Sequence, residues 1–161
     1  MKRAYILLFG LFSILFIFFG CYGKSAPITN VDICTLAIDS VLPKFDEIEK
    51  NDTIYMDLFA LLNMGYDDKC KVISATQQKF NHPAILIDKR KVIEKNKKRQ
   101  SGAIQNGFIL EVNQYERVSP SEVTAIVSII KTRKSAKSYE TILKYRNNRW
   151  ICECVKEKWM N

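Results

Sequence analysis

The sequence predicts an α+β fold in which N-terminal helices pack on one face of a curved antiparallel sheet that ends in a C-terminal meander. Apolar residues at helical spacing dominate residues 31–64, whereas β-branched residues and strict alternation dominate residues 123–157. Helices followed by a run of strands are typical of α+β domains. The chain that follows the signal segment has a length that suits one core, so residues 31–161 are predicted to form a single domain.

Two helices are predicted in the first half of this domain. The first begins with Asn30 or Asp32 as its N-cap and runs to about Leu42, before a proline. The second is predicted over Ile54–Met64 from its leucine, alanine and methionine content, with Gly65 as the glycine that ends it.

In the middle of the chain, the sequence pattern predicts secondary structure less clearly. Periodicity leaves Cys70–Phe80 open between a helix and a strand. After the turn signal Asn-His-Pro, Ala84–Asp88 has the length and composition of a short strand, and Gly107–Val112 is a further strand candidate.

The last forty residues predict the meander. Val123–Thr132 is rich in β-branched residues on both faces, which is typical of a central strand, and Tyr139–Arg146 alternates as a half-buried strand does. Asn147–Asn148 suits a two-residue hairpin turn because asparagine tolerates positive φ. Trp150–Glu157 is the returning strand. Three of its side chains are predicted to share one face: Trp150, Cys152 and Cys154.

The stretch from Met1 to Cys21 predicts export and lipidation. Lys2 and Arg3 precede an apolar run over residues 4–19, and the stretch ends at Phe18-Phe19-Gly20-Cys21. This stretch resembles bacterial lipoprotein precursors, whose lipobox places a small residue before the cysteine that receives lipid, such as palmitate, and becomes the new N-terminus. The resemblance implies a signal peptide over residues 1–20, lipid on Cys21 and a lipidated tether over residues 21–30.

Two alternatives to a lipid anchor stay open. An uncleaved transmembrane helix is one, since the apolar run over residues 4–19 is slightly shorter than the roughly 17–25 residues that span a bilayer. A plain secretory signal is the other, although no cleavage site with small residues at two positions follows Gly20. All three predict a domain outside the cytoplasm. Because Tyr22 is not the aspartate that retains some diderm lipoproteins at the inner membrane, the resemblance favours the outer membrane.

Cysteine usage predicts disulfide bonds in an oxidising compartment. Four cysteines remain after Cys21: Cys34, Cys70, Cys152 and Cys154. Residues two apart on a strand stand too far apart to bridge each other, so Cys34 and Cys70 are expected to pair with Cys152 and Cys154, against the alternative of free thiols.

A basic run is the one stretch with a binding composition. With the signal removed, the formal charge falls from +8 to +6, and seven of the eleven residues 89–99 are basic. Near a lipid anchor, these charges predict contact with anionic headgroups, against the alternative of a solvated surface. Nucleic acid is not expected, because no aromatic residue is interleaved. The seven residues are Lys89, Arg90, Lys91, Lys95, Lys97, Lys98 and Arg99.

No motif for catalysis, metal or cofactor binding stands out. His82 is the only histidine and sits in a turn sequence, and no nucleophile motif or phosphate-binding glycine loop is present. Cys152 and Cys154 are separated by a single residue, unlike the C-x-x-C pairs of structural zinc sites. Neither a catalytic residue, a cofactor nor a metal ligand is therefore predicted.

The order of elements in residues 122–161 is similar to the end of domains related to nuclear transport factor two and to cystatin-like lipoproteins. That resemblance implies a pocket between sheet and helices. The function that the sequence predicts is a non-enzymatic binding or assembly module of the cell envelope. The alternative is an inhibitor or immunity-type lipoprotein that acts on an envelope enzyme, and a small enzyme with a pocket comes third.

Overall fold

A computed structural model describes residues 27–90, 106–131 and 135–158. Two α-helices pack on one face of a six-stranded open sheet with the strand order β2-β1-β3-β4-β5-β6. The α+β prediction, with its C-terminal meander, is confirmed. Strand β1 adds two parallel pairings, to β2 and β3, while the other three pairings are antiparallel. The elements are α1 (Asn30–Val41), a 3₁₀ turn (Leu42–Lys44), β1 (Thr53–Asp57), α2 (Tyr66–Phe80), β2 (Ala84–Leu86), β3 (Gly107–Ser119), β4 (Glu122–Ile130), β5 (Ala136–Arg146) and β6 (Arg149–Lys158).

Helix α1 begins one residue earlier than the sequence suggests. Thr29 is the N-cap: its hydroxyl accepts from the backbone N–H of Asp32 at 3.1 Å, and the Asp32 carboxylate accepts in turn from the Thr29 backbone N–H at 3.1 Å. This reciprocal pair satisfies two N–H groups that a helix start otherwise leaves without partners. At the other end, Pro43 lies in the 3₁₀ turn that follows the helix.

The helix predicted over Ile54–Met64 is wrong. Residues Thr53–Asp57 form strand β1, and residues 58–65, here called the apolar loop, run in turns to α2. Pairing with β2 on one side and β3 on the other overrides the helix propensity of the leucine-rich stretch, because it buries Ile54 and Met56 completely.

Helix α2 resolves the ambiguity over Cys70–Phe80. Gly65 is its N-cap, with φ −65° and ψ 163°, and so begins this helix instead of ending an earlier one. Asn81 ends it in the left-handed conformation at φ 54°, as asparagine readily does.

The hairpin of β5 and β6 confirms the predicted turn, since Asn147 and Asn148 have φ values of 52° and 61°. The prediction that Cys152 and Cys154 share a face is wrong. Cys152 lies opposite Leu143, whereas Cys154 lies opposite Ile142, because a bulge shifts the register between these pairs. Directly opposed residues point to the same side of a sheet, so Cys154 faces away from the helices.

The core lies between the helices and the sheet, on what we call the inner face. Fully buried side chains from α1 and from the central strands fill this space, and Cys34, Ile38, Phe108 and Val127 are among those with 0% exposure. In the part of the chain that the structure describes, tight packing therefore occupies the place where the resemblance to transport-factor-like domains implies a pocket.

Candidate functional site

Of the basic run, the structure describes Lys89 and Arg90, and the charge of Lys89 is balanced by a carboxylate. The ammonium of Lys89 lies 2.7 Å from Glu111 Oε2, and its backbone N–H donates to Asp57 Oδ2 at 2.8 Å. Lys89 is thus tied to the outer face of the sheet by two carboxylates, which leaves Arg90 as an exposed cation. The other five residues of the run, Lys91, Lys95, Lys97, Lys98 and Arg99, lie outside the described residues.

A row of polar side chains continues from Glu111 across the outer face. The Asn113 amide fits this row best with its nitrogen donating to the Glu111 carboxylate at 2.8 Å and its oxygen accepting from the Ser128 hydroxyl at 2.7 Å. Ser128 lies 3.1 Å from Ser138, and the two residues are 2% and 8% exposed. Each serine hydroxyl is held by polar neighbours that are not general bases, so the row joins strands and does not activate a nucleophile.

His82 lines an open groove of about 470 Å³ that begins where α2 ends. Its Nδ1 donates to the carbonyl oxygen of Asp52 at 3.0 Å, so the neutral ring carries its hydrogen on Nδ1. This hydrogen bond gives His82 a structural role, since it ties the turn after α2 to the residue before β1. The other described lining residues are Lys50, Asn51, Phe80, Asn81 and Pro83, so no carboxylate side chain lies in this lining beside His82.

A second group of charged residues surrounds Lys131, which follows β4 at one end of the sheet. Lys131 donates to Asp52 Oδ2 at 3.1 Å, to Glu49 Oε1 at 3.0 Å and to the carbonyl oxygen of Glu47 at 2.6 Å. Burial lowers the pKa of Lys131, but its hydrogen bonds to Glu49 and Asp52 outweigh that effect and raise it. Nearby, burial first and then the negative charge of Glu157 raise the pKa of Tyr139. The contacts of Lys131 fasten the segment before β1 to the end of β4.

The four cysteines of the described domain have free thiols in this structure, so the predicted disulfide bonds are not formed in it. Cys34 is completely buried in α1, and this burial raises its pKa to about 12. Both predicted pairings require Cys154 to reach a helix, yet its side chain lies on the face opposite to both helices. A bridge requires β-carbons about 3.5–4.5 Å apart, which the intervening sheet prevents.

The apolar loop is a surface feature that sequence reasoning missed. Its leucines divide between two sides: Leu58 and Leu61 are 0% and 5% exposed, whereas Leu62 is 90% exposed. Phe59, at 50%, and Tyr66, at 71%, extend the exposed side. A surface helix ordinarily carries a polar face. The absence of any charged residue between Leu58 and Tyr66 therefore argued against a helix there and pointed to an exposed apolar segment.

Cys21, the predicted lipidation site, lies outside the described residues. Among the residues that are described, no helix combines the length and hydropathy needed to cross a bilayer. Nor do His, Cys, Asp and Glu side chains gather there into a group of three or more that could hold a metal ion.

Comparison with known proteins gives no relative from which a function could be transferred. No family model, curated protein or solved structure matches the chain. The fold and the side chains themselves must therefore carry the functional argument.

Proposed function

We propose that this protein is a lipoprotein of the cell envelope, anchored to a membrane by lipid on Cys21, whose extracytoplasmic domain acts as a binding or assembly module. The observation that carries the proposal is the order of features from Met1 to Cys21. A positive start, an apolar run over residues 4–19 and then Gly20-Cys21 form the pattern of a lipidated signal.

The arrangement of the polar side chains supports binding over catalysis. The Nδ1 hydrogen of His82 is donated to the backbone of Asp52, and Lys89 and Lys131 each pair with a carboxylate from a distant part of the chain. General acid–base chemistry needs a titratable group that converges with a partner on a substrate site. These three groups instead hold separate parts of the domain together.

The anchor can be tested by metabolic labelling with an alkyne analogue of palmitate, followed by attachment of a fluorophore to the purified full-length chain. The wild-type chain is expected to become fluorescent, and the Cys21→Ser chain is not. The Cys70→Ser chain is the matched control, because it removes a partly exposed cysteine of the domain and keeps the lipidation site. Equal labelling of the wild-type and Cys21→Ser chains would contradict the proposal.

A further inference from the structure

We propose that the apolar loop and Tyr66, the first residue of α2, touch the lipid bilayer beside the anchor. This inference rests on the proposed lipid on Cys21 and adds to it by naming the face of the domain that meets the membrane. The ligand class is the interfacial region of a phospholipid bilayer.

The exposed side chains of this region are concentrated in a short stretch. Phe59, Leu62 and Tyr66 are 50%, 90% and 71% exposed, and they lie within eight consecutive residues. Exposed apolar residues that are concentrated in one stretch mark an interaction site more often than singly scattered ones do. Phenylalanine and leucine bury favourably at the boundary between headgroups and acyl chains, and tyrosine is enriched at that depth.

The loop is held so that these side chains point outward. Leu58, Leu61 and Met64 are buried at 0%, 5% and 4% exposure and act as three anchors in the core. The backbone N–H of Phe59 donates to Asp57 Oδ1 at 2.9 Å, and that of Met64 donates to the Leu61 carbonyl oxygen at 3.2 Å. Because the loop is already ordered, contact with a membrane needs little further loss of conformational entropy.

The position of the loop favours a bilayer over a diffusing protein partner. The Asn30 side chain donates to the carbonyl oxygen of Asn63 at 3.3 Å, which places the loop beside the start of α1. Cys21 precedes the buried residue Ile28 by only seven residues, and such a segment spans at most about 25 Å. Lipid on Cys21 would therefore keep the membrane within reach of this end of the domain and of few other surfaces.

Charge near the loop fits the same partner. No charged residue occurs from Leu58 to Tyr66, so insertion of the exposed tip desolvates no ion. The next two residues, Asp67 and Asp68, stay outside the inserted stretch, and Asp68 is paired with Lys71. At the rim, the ammonium of Lys69 lies 4.9 Å from the centroid of the Phe59 ring. A lysine beside an inserted aromatic residue is placed to meet lipid phosphates.

Photocrosslinking in native membranes tests this contact with the full-length chain. The substitution Leu62→benzoylphenylalanine places a photoreactive ring at the tip of the loop, and Val118→benzoylphenylalanine is the control. Val118 is also exposed, at 58%, but lies on β3 outside the loop. We expect lipid adducts at position 62 to exceed those at position 118 about tenfold, which corresponds to a preference of about 1.4 kcal/mol for the bilayer at the tip of the loop.

Separating the membranes before irradiation distinguishes failure of this inference from failure of the anchor. Chain recovered in the membrane fraction that gives equal lipid adducts at the two positions, or that crosslinks to a protein at position 62, overturns the bilayer contact and leaves the anchor standing. Chain that is absent from the membrane fraction overturns the anchor, and the inference fails with it.

Discussion

The ammonium of Lys131 lies 3.1 Å from the carboxylate of Asp52, whose side chain is only 4% exposed. The two residues are 79 positions apart in sequence, and their contact joins the end of β4 to the residue that precedes β1. Asp52 also accepts from the backbone N–H of Glu49 at 2.9 Å, so the carboxylate organises the segment on which Lys131 closes.

Lys131→Met is expected to destabilise the domain by about 2 kcal/mol, because it leaves the Asp52 carboxylate buried without its cation. Urea unfolding followed by circular dichroism measures this change. Lys71→Met is the matched control. It breaks the exposed pair with Asp68, in which the lysine side chain is 66% exposed, and no measurable change is expected there. Equal midpoints for Lys131→Met and wild type would contradict this role of Asp52.

Cys34 gives the domain a specific weakness at alkaline pH. Burial raises the pKa of its thiol from 9.0 to about 12, so above pH 9 the unfolded chain releases a proton that the folded chain keeps. The contribution of this thiol to the free energy of unfolding is therefore complete below pH 9 and is lost as the pH rises towards 12. At pH 10, the free-energy difference between wild type and Cys34→Ala is expected to be about 1.4 kcal/mol less favourable to wild type than at pH 8. A difference that stays constant between these two pH values would contradict the burial of the thiol.

Gly107 is expected to tolerate no side chain, because a β-carbon there would overlap the backbone carbonyl oxygen of Thr53 on β1. Gly107→Ala should cost about 2–3 kcal/mol, the cost of forcing extra volume into a packed site, because neither backbone can move aside without breaking the pairing of β1 with β3. Thermal unfolding measures the change. Gly65→Ser is the control, since open space surrounds Gly65 and serine is a good N-cap for α2, and its melting temperature should equal or exceed that of wild type. A wild-type melting temperature for Gly107→Ala would contradict the close approach of β1 and β3.

Local pattern predicted those parts of the fold that local physics determines. The β-branched residues of β4 favour a strand over a helix because they pack well on a pleated sheet. Asn147 and Asn148 favour a tight hairpin turn because asparagine tolerates the positive φ that such a turn requires. Residues Ile54–Met64 were not predictable in the same way. Residues with a high helix propensity form a helix only where no tertiary contact favours another structure. Here residues 53–57 pair with β2 and β3, which both follow α2 in the chain, and so form a strand.

The same distinction applies to the candidate site. The proposed lipidation signal at Cys21 rests on a local pattern in the sequence, whereas the face on which Cys154 lies depends on a single bulge between β5 and β6. The exposure of Leu62 depends on which of its neighbours reach the core, and the contact of Asn30 with Asn63 depends on the packing of α1. Neither relationship leaves a periodic trace in the sequence.

Intact mass analysis of the N-terminal peptide from the native, membrane-extracted protein tests the account most directly. A peptide that begins at Cys21 and carries the mass of attached acyl chains is the predicted result. A peptide that begins at Met1, or one that contains an unmodified Cys21, would contradict the lipid anchor on which the proposed function depends.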